Sequence, residues 1–210
     1  MKLYAAILFA GAVLAGAASA AAPVTVTLVA SATVVQYGKP VNLSGQLSTK
    51  RANQSVTIQA TECGSTRQAR TASAKTNATG AYTVAVTPAL ATAYQATFKN
   101  VKSPAVTVSV KPVLQLTRVA RGSYSVKVTA GQALTGKAVL FQRYAKLRKR
   151  WVQVKRVTLA AATPGPTKPT MITPAAFKAK VARGTRVRVV ISKAQAAPCY
   201  VTAASNAVRA

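Results

Sequence analysis

The chain is 210 residues long and carries 29 Lys and Arg against one acidic side chain, Glu62, and no His, a formal net charge of +28. Those absences exclude whole classes of chemistry. Paired-carboxylate hydrolysis needs two acids, a Ser-His-Asp relay needs residues that are missing, and Mg, Ca or Zn sites need more ligands than one Glu and two Cys supply. Half the residues are apolar, enough to bury a core, so the expectation is a folded chain that is not an enzyme and holds no cofactor and no metal.

Residues 1–20 read as a secretory signal. Lys2 gives the positive start, Leu3 to Leu14 the apolar run, and Ala18-Ser19-Ala20 the small-residue cleavage site. Retention as an anchor is the alternative, since the apolar stretch approaches the length of a membrane span. No second such stretch follows, so the mature chain is expected outside the cell or at its surface.

Beyond the signal, apolar and polar residues alternate with period two in Val24–Leu28, Tyr82–Val86, Val106–Val110, Tyr124–Val128 and Arg186–Val189. Alternation turns one set of side chains to a core and the other to water, the mark of half-buried strands. Turns are expected at Tyr37-Gly38-Lys39-Pro40, Asn77-Ala78-Thr79-Gly80 and Ala120-Arg121-Gly122. Helix signals are negligible, and short antiparallel strands with such punctuation predict an all-β sandwich.

The chain also repeats itself. Val41-Asn42-Leu43-Ser44-Gly45 matches Val126-Lys127-Val128-Thr129-Ala130, and Val56-Thr57-Ile58-Gln59 matches Val139-Leu140-Phe141-Gln142. Gly80-Ala81-Tyr82 parallels Ala175-Ala176-Phe177, and Ser103-Pro104-Ala105-Val106 parallels Ser205-Asn206-Ala207-Val208. The period suits one immunoglobulin-like module of about 100 residues. Two tandem immunoglobulin-like antiparallel β-sandwiches are therefore expected after the signal peptide, at residues 21–110 and 111–210, joined near Lys111-Pro112.

The Gly38–Gly45 stretch resembles the second-strand motif of secreted bacterial immunoglobulin-like (fibronectin-III-like) modules, and Thr76–Tyr82 resembles their hairpin into the fifth strand. The Gln142–Val152 hairpin and the Tyr200–Arg209 ending are similar to tandem pairs of such modules. The resemblance implies a fold and says little of function, because these modules serve as adhesins, spacers and enzyme appendages.

Neither module holds a cysteine pair. In such a topology Cys63 follows the third strand of the first module, at the pole facing the second. Cys199 lies between the last two strands of the second module, at the pole facing the first. A Cys63–Cys199 bridge across the junction is expected; two free thiols, or an intermolecular pair, are the alternatives.

The densest charge lies in Arg143, Lys146, Arg148, Lys149 and Arg150, followed by Lys155 and Arg156. It reads as a hairpin between the third and fourth strands of the second module. Its turn is expected at the far pole, with Arg121 and Arg183 nearby. Arg forks grip phosphate or carboxylate, and Tyr144 and Trp151 offer rings for stacking. Against that, a protein this basic shows such runs anywhere, and Trp151 alone reads as a core residue. The expected partner is an anionic cell-wall or extracellular polymer, with nucleic acid or a protein partner as rivals. No small-molecule substrate is expected, and the chain is expected to be a monomer with a structural or adhesive role.

Overall fold

A computed structural model describes residues 22–210; the expected signal at 1–20 lies outside them. The protein is all-β, with 54% of the described residues in strands and 2% helical. The first half, to Lys111, holds β1 (Val29–Ala30), β2 (Val34–Gln36), β3 (Val41–Gln46), β4 (Ser55–Glu62) and β5 (Ala69–Lys75). It continues with β6 (Ala81–Val86), β7 (Thr92–Phe98), β8 (Val101–Lys102) and β9 (Val106–Lys111). The second half holds β10 (Val113–Ala120), β11 (Ser123–Ala130), β12 (Ala138–Ala145), β13 (Arg150–Thr158) and β14 (Thr163–Pro164). Then come β15 (Met171–Lys178), β16 (Arg186–Ile191), the single helical turn α1 (Lys193–Ala196), β17 (Ala203–Ala204) and β18 (Val208–Arg209).

In the first half a sheet of order β1-β3-β6 accompanies one of order β2-β9-β7-β4-β5, with β8 against β7. In the second half β10-β11-β15-β14 accompanies β13-β12-β16-β17, with β18 also on β16. Every ladder is antiparallel except β2 with β9, and among the described residues none joins the halves. Alternation explains the burial: Val187, Val189 and Ile191 are fully buried while Arg186, Arg188 and Val190 of the same strand are not. The second core is pinned by Tyr124, Phe141 and Phe177, whose centroids lie 4.8 to 5.6 Å apart across its two sheets. Such ring clusters add stabilisation beyond the area they bury.

The repeat reaches individual hydrogen bonds. The Ser103 hydroxyl accepts from the Ala96 amide and donates to the Pro104 carbonyl. The Ser205 hydroxyl accepts from Val189 and donates to Asn206 in the same way. β4 and β12 carry a register shift at the matched place, Ile58/Gln59 and Phe141/Gln142. One expected match fails: Tyr82 stands opposite Gly45, whereas Phe177 stands opposite Tyr124 and Met171 opposite Ala130. The residues are alike there, but the register is different. The expected strand at Val24–Leu28 is also reduced, to a bridge between Val26 and Leu47. The Thr27 carbonyl turns instead to the Tyr82 hydroxyl, through space that a Gly45 side chain would fill.

The halves meet through covalent and backbone contacts. Cys63 and Cys199 form a disulfide with their Cα atoms 5.3 Å apart. Across the junction the Ala91 amide donates to the Cys199 carbonyl and the Val201 amide to the Val110 carbonyl, both at 3.0 Å. The hydroxyls of Tyr37 and Thr170 lie 2.9 Å apart. At Gly131 a Cβ would sit 2.8 Å from the Ala89 carbonyl, so only glycine permits that approach. Burial pushes the Tyr200 phenol up to about 12, against the nearby amides of Gly131 and Gln132. Its buried hydroxyl nonetheless completes no well-formed hydrogen bond.

Candidate functional site: a cationic pole with an arginine face

The expected basic hairpin forms. β12 and β13 pair from Ala138↔Thr158 to Ala145↔Arg150, and Lys146–Lys149 make the turn, closed by the Lys149 amide on the Lys146 carbonyl at 3.2 Å. Because β12 runs away from the disulfide end and β16, antiparallel to it, runs back toward Cys199, this turn stands at the far pole of the second half. There Arg143, Lys146, Arg183, Arg186 and Arg209 line a cleft of about 650 Å³. Arg183 also faces Arg118 and Arg121 across a smaller hollow. Arg148 and Lys146 border a third, against Val152. Thus Arg121, Arg143, Lys146, Arg148 and Arg183 gather at one pole, and Lys149 and Arg150 complete the exposed hairpin.

Lys155 and Arg156 lie further along β13, Lys155 reaching toward the hollow that Arg121 and Lys178 line. They pair with Phe141 and Leu140 in mid-strand, and the Lys155 ammonium donates to the Lys178 carbonyl at 3.1 Å, tying the sandwich edge.

Trp151 is not a core residue. It pairs with Tyr144 on the outer face of its sheet and remains half-exposed. Tyr144 lies three residues beyond the inward-facing Phe141, so alternation turns it and its cross-strand partner outward. The indole is covered instead by a guanidinium: Arg188 lies 4.2 Å from its ring centre. Arg186 lies 4.5 Å from the Tyr144 ring, and the two rings meet edge to face at 5.4 Å.

Arg186, Arg188 and Arg209 were missed as site residues, although Arg186-Val187-Arg188-Val189 puts both arginines on one strand face. Tyr144, next along from the Arg143↔Val187 pair, faces Arg186, and Arg186 pairs directly with Arg209. Trp151, Tyr144, Arg186 and Arg209 therefore form one row across four strands. Arg188 begins the next, its Nε donating to the Gln142 side-chain carbonyl at 3.0 Å. Arg209 donates to the Gly184 carbonyl at 3.4 Å. Desolvation lowers the Arg188 pKa from its ordinary value, and a guanidinium remains charged in proteins all the same.

The rings thus hold guanidinium groups in place, which cuts the conformational freedom lost on binding. Each fork keeps donors free for an oxyanion. Arg186 beside Arg209 is a like-charge cross-strand pair, which costs stability until an anion relieves it. Glu62, the one acidic side chain, ends β4 at the junction of the two halves, beside the disulfide and away from this pole. No group of three or more His, Cys, Asp or Glu gathers among the described residues. No helix there is long and apolar enough to cross a membrane.

No protein family matches the chain, and no curated protein does. The site must be read from its own chemistry. Its units are charge-assisted hydrogen-bond donors in fixed rows, suited to repeated phosphate, sulfate or carboxylate groups.

Proposed function

We propose that the chain is an exported pair of immunoglobulin-like modules, residues 21–110 and 111–210, that attaches to an anionic polymer of the cell envelope. It acts without turnover, as a structural or adhesive element. The strand orders of both halves fit that architecture, with β1, β3 and β6 facing β4, β7 and β9 in the first half and β10, β11 and β15 facing β12, β16 and β18 in the second. Export rests on the signal-like residues 1–20.

One observation carries the binding reading: Arg186, Arg188 and Arg209 share a face, two of them stacked on rings, with no acidic side chain opposite. A surface whose charge served only solubility would gain nothing from fixing its guanidinium groups. Guanidinium groups already cover Tyr144 and Trp151, which leaves less ring surface for stacked bases and favours an oxyanion polymer over single-stranded nucleic acid.

The test is cosedimentation of the mature protein with purified envelope polymer across a salt series, with and without competing DNA. Two variants run beside it, Arg186→Gln/Arg188→Gln and Lys146→Ser/Arg148→Ser/Lys149→Ser/Arg150→Ser. Binding that weakens with salt and drops about tenfold in the first variant supports the reading. Equal binding by all three proteins would reduce the face to background charge, and displacement by DNA would promote the nucleic-acid rival.

A further inference from the structure

The far pole carries a second feature that polymer binding leaves unexplained. Leu147 is 102% exposed and Val119 is 68% exposed, the two most exposed large apolar side chains among the described residues. Both stand at this pole. Leu147 is the second residue of the hairpin turn, between Lys146 and Arg148; Val119 precedes the Arg121-Gly122 turn and follows Arg118. Arg183, which lines clefts with both Lys146 and Arg118, joins the two turns.

The hairpin turn is badly chosen as a turn. Its positions favour Gly, Asn, Asp, Pro or Ser, yet its residues are Lys146, Leu147, Arg148 and Lys149. Lys149 adopts a left-handed φ of 47° that glycine or asparagine would take with less strain. Local rules are broken here in favour of three cations and one apolar apex, and such departures belong to functional sites. A lone exposed leucine is ordinary. Two at one pole, each flanked by cations and without an acidic side chain nearby, are the pattern of an interfacial anchor: apolar tips enter the headgroup layer while Lys and Arg meet anionic lipid.

We infer that the pole docks onto an anionic lipid surface, with Leu147 and Val119 as its inserted tips. The occupant is a bilayer rather than a soluble chain, because a soluble polyanion gives neither apolar side chain a place to go. The arginine face lies beside these tips, so polymer and bilayer can be engaged from the same end. The inference stands apart from the polymer reading.

The experiment is sedimentation of the mature protein with phosphatidylcholine vesicles, with and without phosphatidylglycerol. It compares wild type, Leu147→Ser, Val119→Ser and Arg186→Gln/Arg188→Gln. Both serines are at exposed sites and should leave the melting temperature unchanged, which guards against misfolding. The expected result is binding only to the anionic vesicles. Leu147→Ser should weaken it about tenfold and Val119→Ser several-fold, with polymer binding kept in both. Trp151, the one tryptophan, should be quenched by brominated acyl chains in the wild type and less in Leu147→Ser. Vesicle binding equal in wild type and Leu147→Ser, or absent altogether, overturns the inference. Vesicle binding without polymer binding would sustain it while defeating the proposed function.

Discussion

The β4–β7 and β12–β16 pairs occupy the same place in the two halves. Ile58 faces Ala96 as Phe141 faces Val189, and Gln59 faces Gln95 as Gln142 faces Arg188. Their outer faces differ. Where the first half has Thr61, Ala93 and Gln95, the second has Tyr144, Arg186 and Arg188. Gln59 accepts from the Thr97 hydroxyl at 3.2 Å, and its counterpart Gln142 accepts from a guanidinium. The matching pole of the first half, at Cys63, is closed by the second half; that of the second is open and cationic. Ten of the thirteen arginines lie beyond residue 111. A repeated fold thus supplies its own control: charge is concentrated at the one of the two equivalent ends that the other half does not cover.

The largest expected effect tests the closed end. The disulfide closes a 136-residue separation, for which the loop-entropy model gives about 5 kcal/mol, an upper-end figure. Cys63→Ser/Cys199→Ser should lower the melting temperature by roughly 10–20 °C in scanning calorimetry. A loss below about 2 °C would mean that the backbone contacts close that end without the bond.

Next comes pH, which separates the core from the charged surface. Burial raises the phenols of Tyr82, Tyr94 and Tyr200 to about 12 from 10.0. The fold therefore favours the protonated phenol. Their contribution is complete below pH 10.0 and is lost as pH rises through about 12, because the unfolded chain releases those protons first. On the acid side only Glu62 carries a side-chain carboxylate. Melting temperature at fixed ionic strength should stay flat from neutrality to about pH 3 and fall between pH 10 and 12. A steep acid loss would contradict it.

Gly131→Ala is smaller and more local. The added methyl meets the Ala89 carbonyl at 2.8 Å, and such overpacking costs about 1–3 kcal/mol. Gly122→Ala, with nothing nearer than 3.4 Å but a φ of +70°, should cost less than that and leave the junction intact. Equal losses in thermal denaturation would show that the junction relaxes around the added methyl, so that the close approach at Gly131 costs no more than the left-handed backbone at Gly122.

The sequence was legible where a two-residue period met a turn signal. β6, β9, β11 and β16, the basic hairpin and both ends of the disulfide follow from alternation, Gly and Asn placement, and strand counting. Trp151 was misread because size argued for burial, whereas parity from Phe141 turned it outward and a guanidinium supplied the missing cover. Arg186 and Arg188 were legible as a strand but not as a site, since density drew attention to the hairpin. Their importance comes from cross-strand register with Tyr144 and Arg209, and pairing partners do not appear in a local pattern.

That register gives the smallest effect and the sharpest form of the comparison. Arg186 and Arg209 face each other with no acidic side chain between them, a like-charge pair worth about 0.5 kcal/mol of destabilisation. Arg209→Thr should therefore stabilise the protein, by roughly 1–2 °C at low salt. The gain should fade as salt screens the pair, within about 10 Å at 0.1 M. The same variant should bind anionic polymer more weakly. Lys102→Thr, a cation on the β8 edge of the first half, should change neither quantity. Stability gained where binding is lost is the mark of charge held against its own repulsion for a ligand. If Arg209→Thr moved stability and binding in the same direction, its charge would be part of the fold instead, and the two outer faces would differ in composition without differing in purpose.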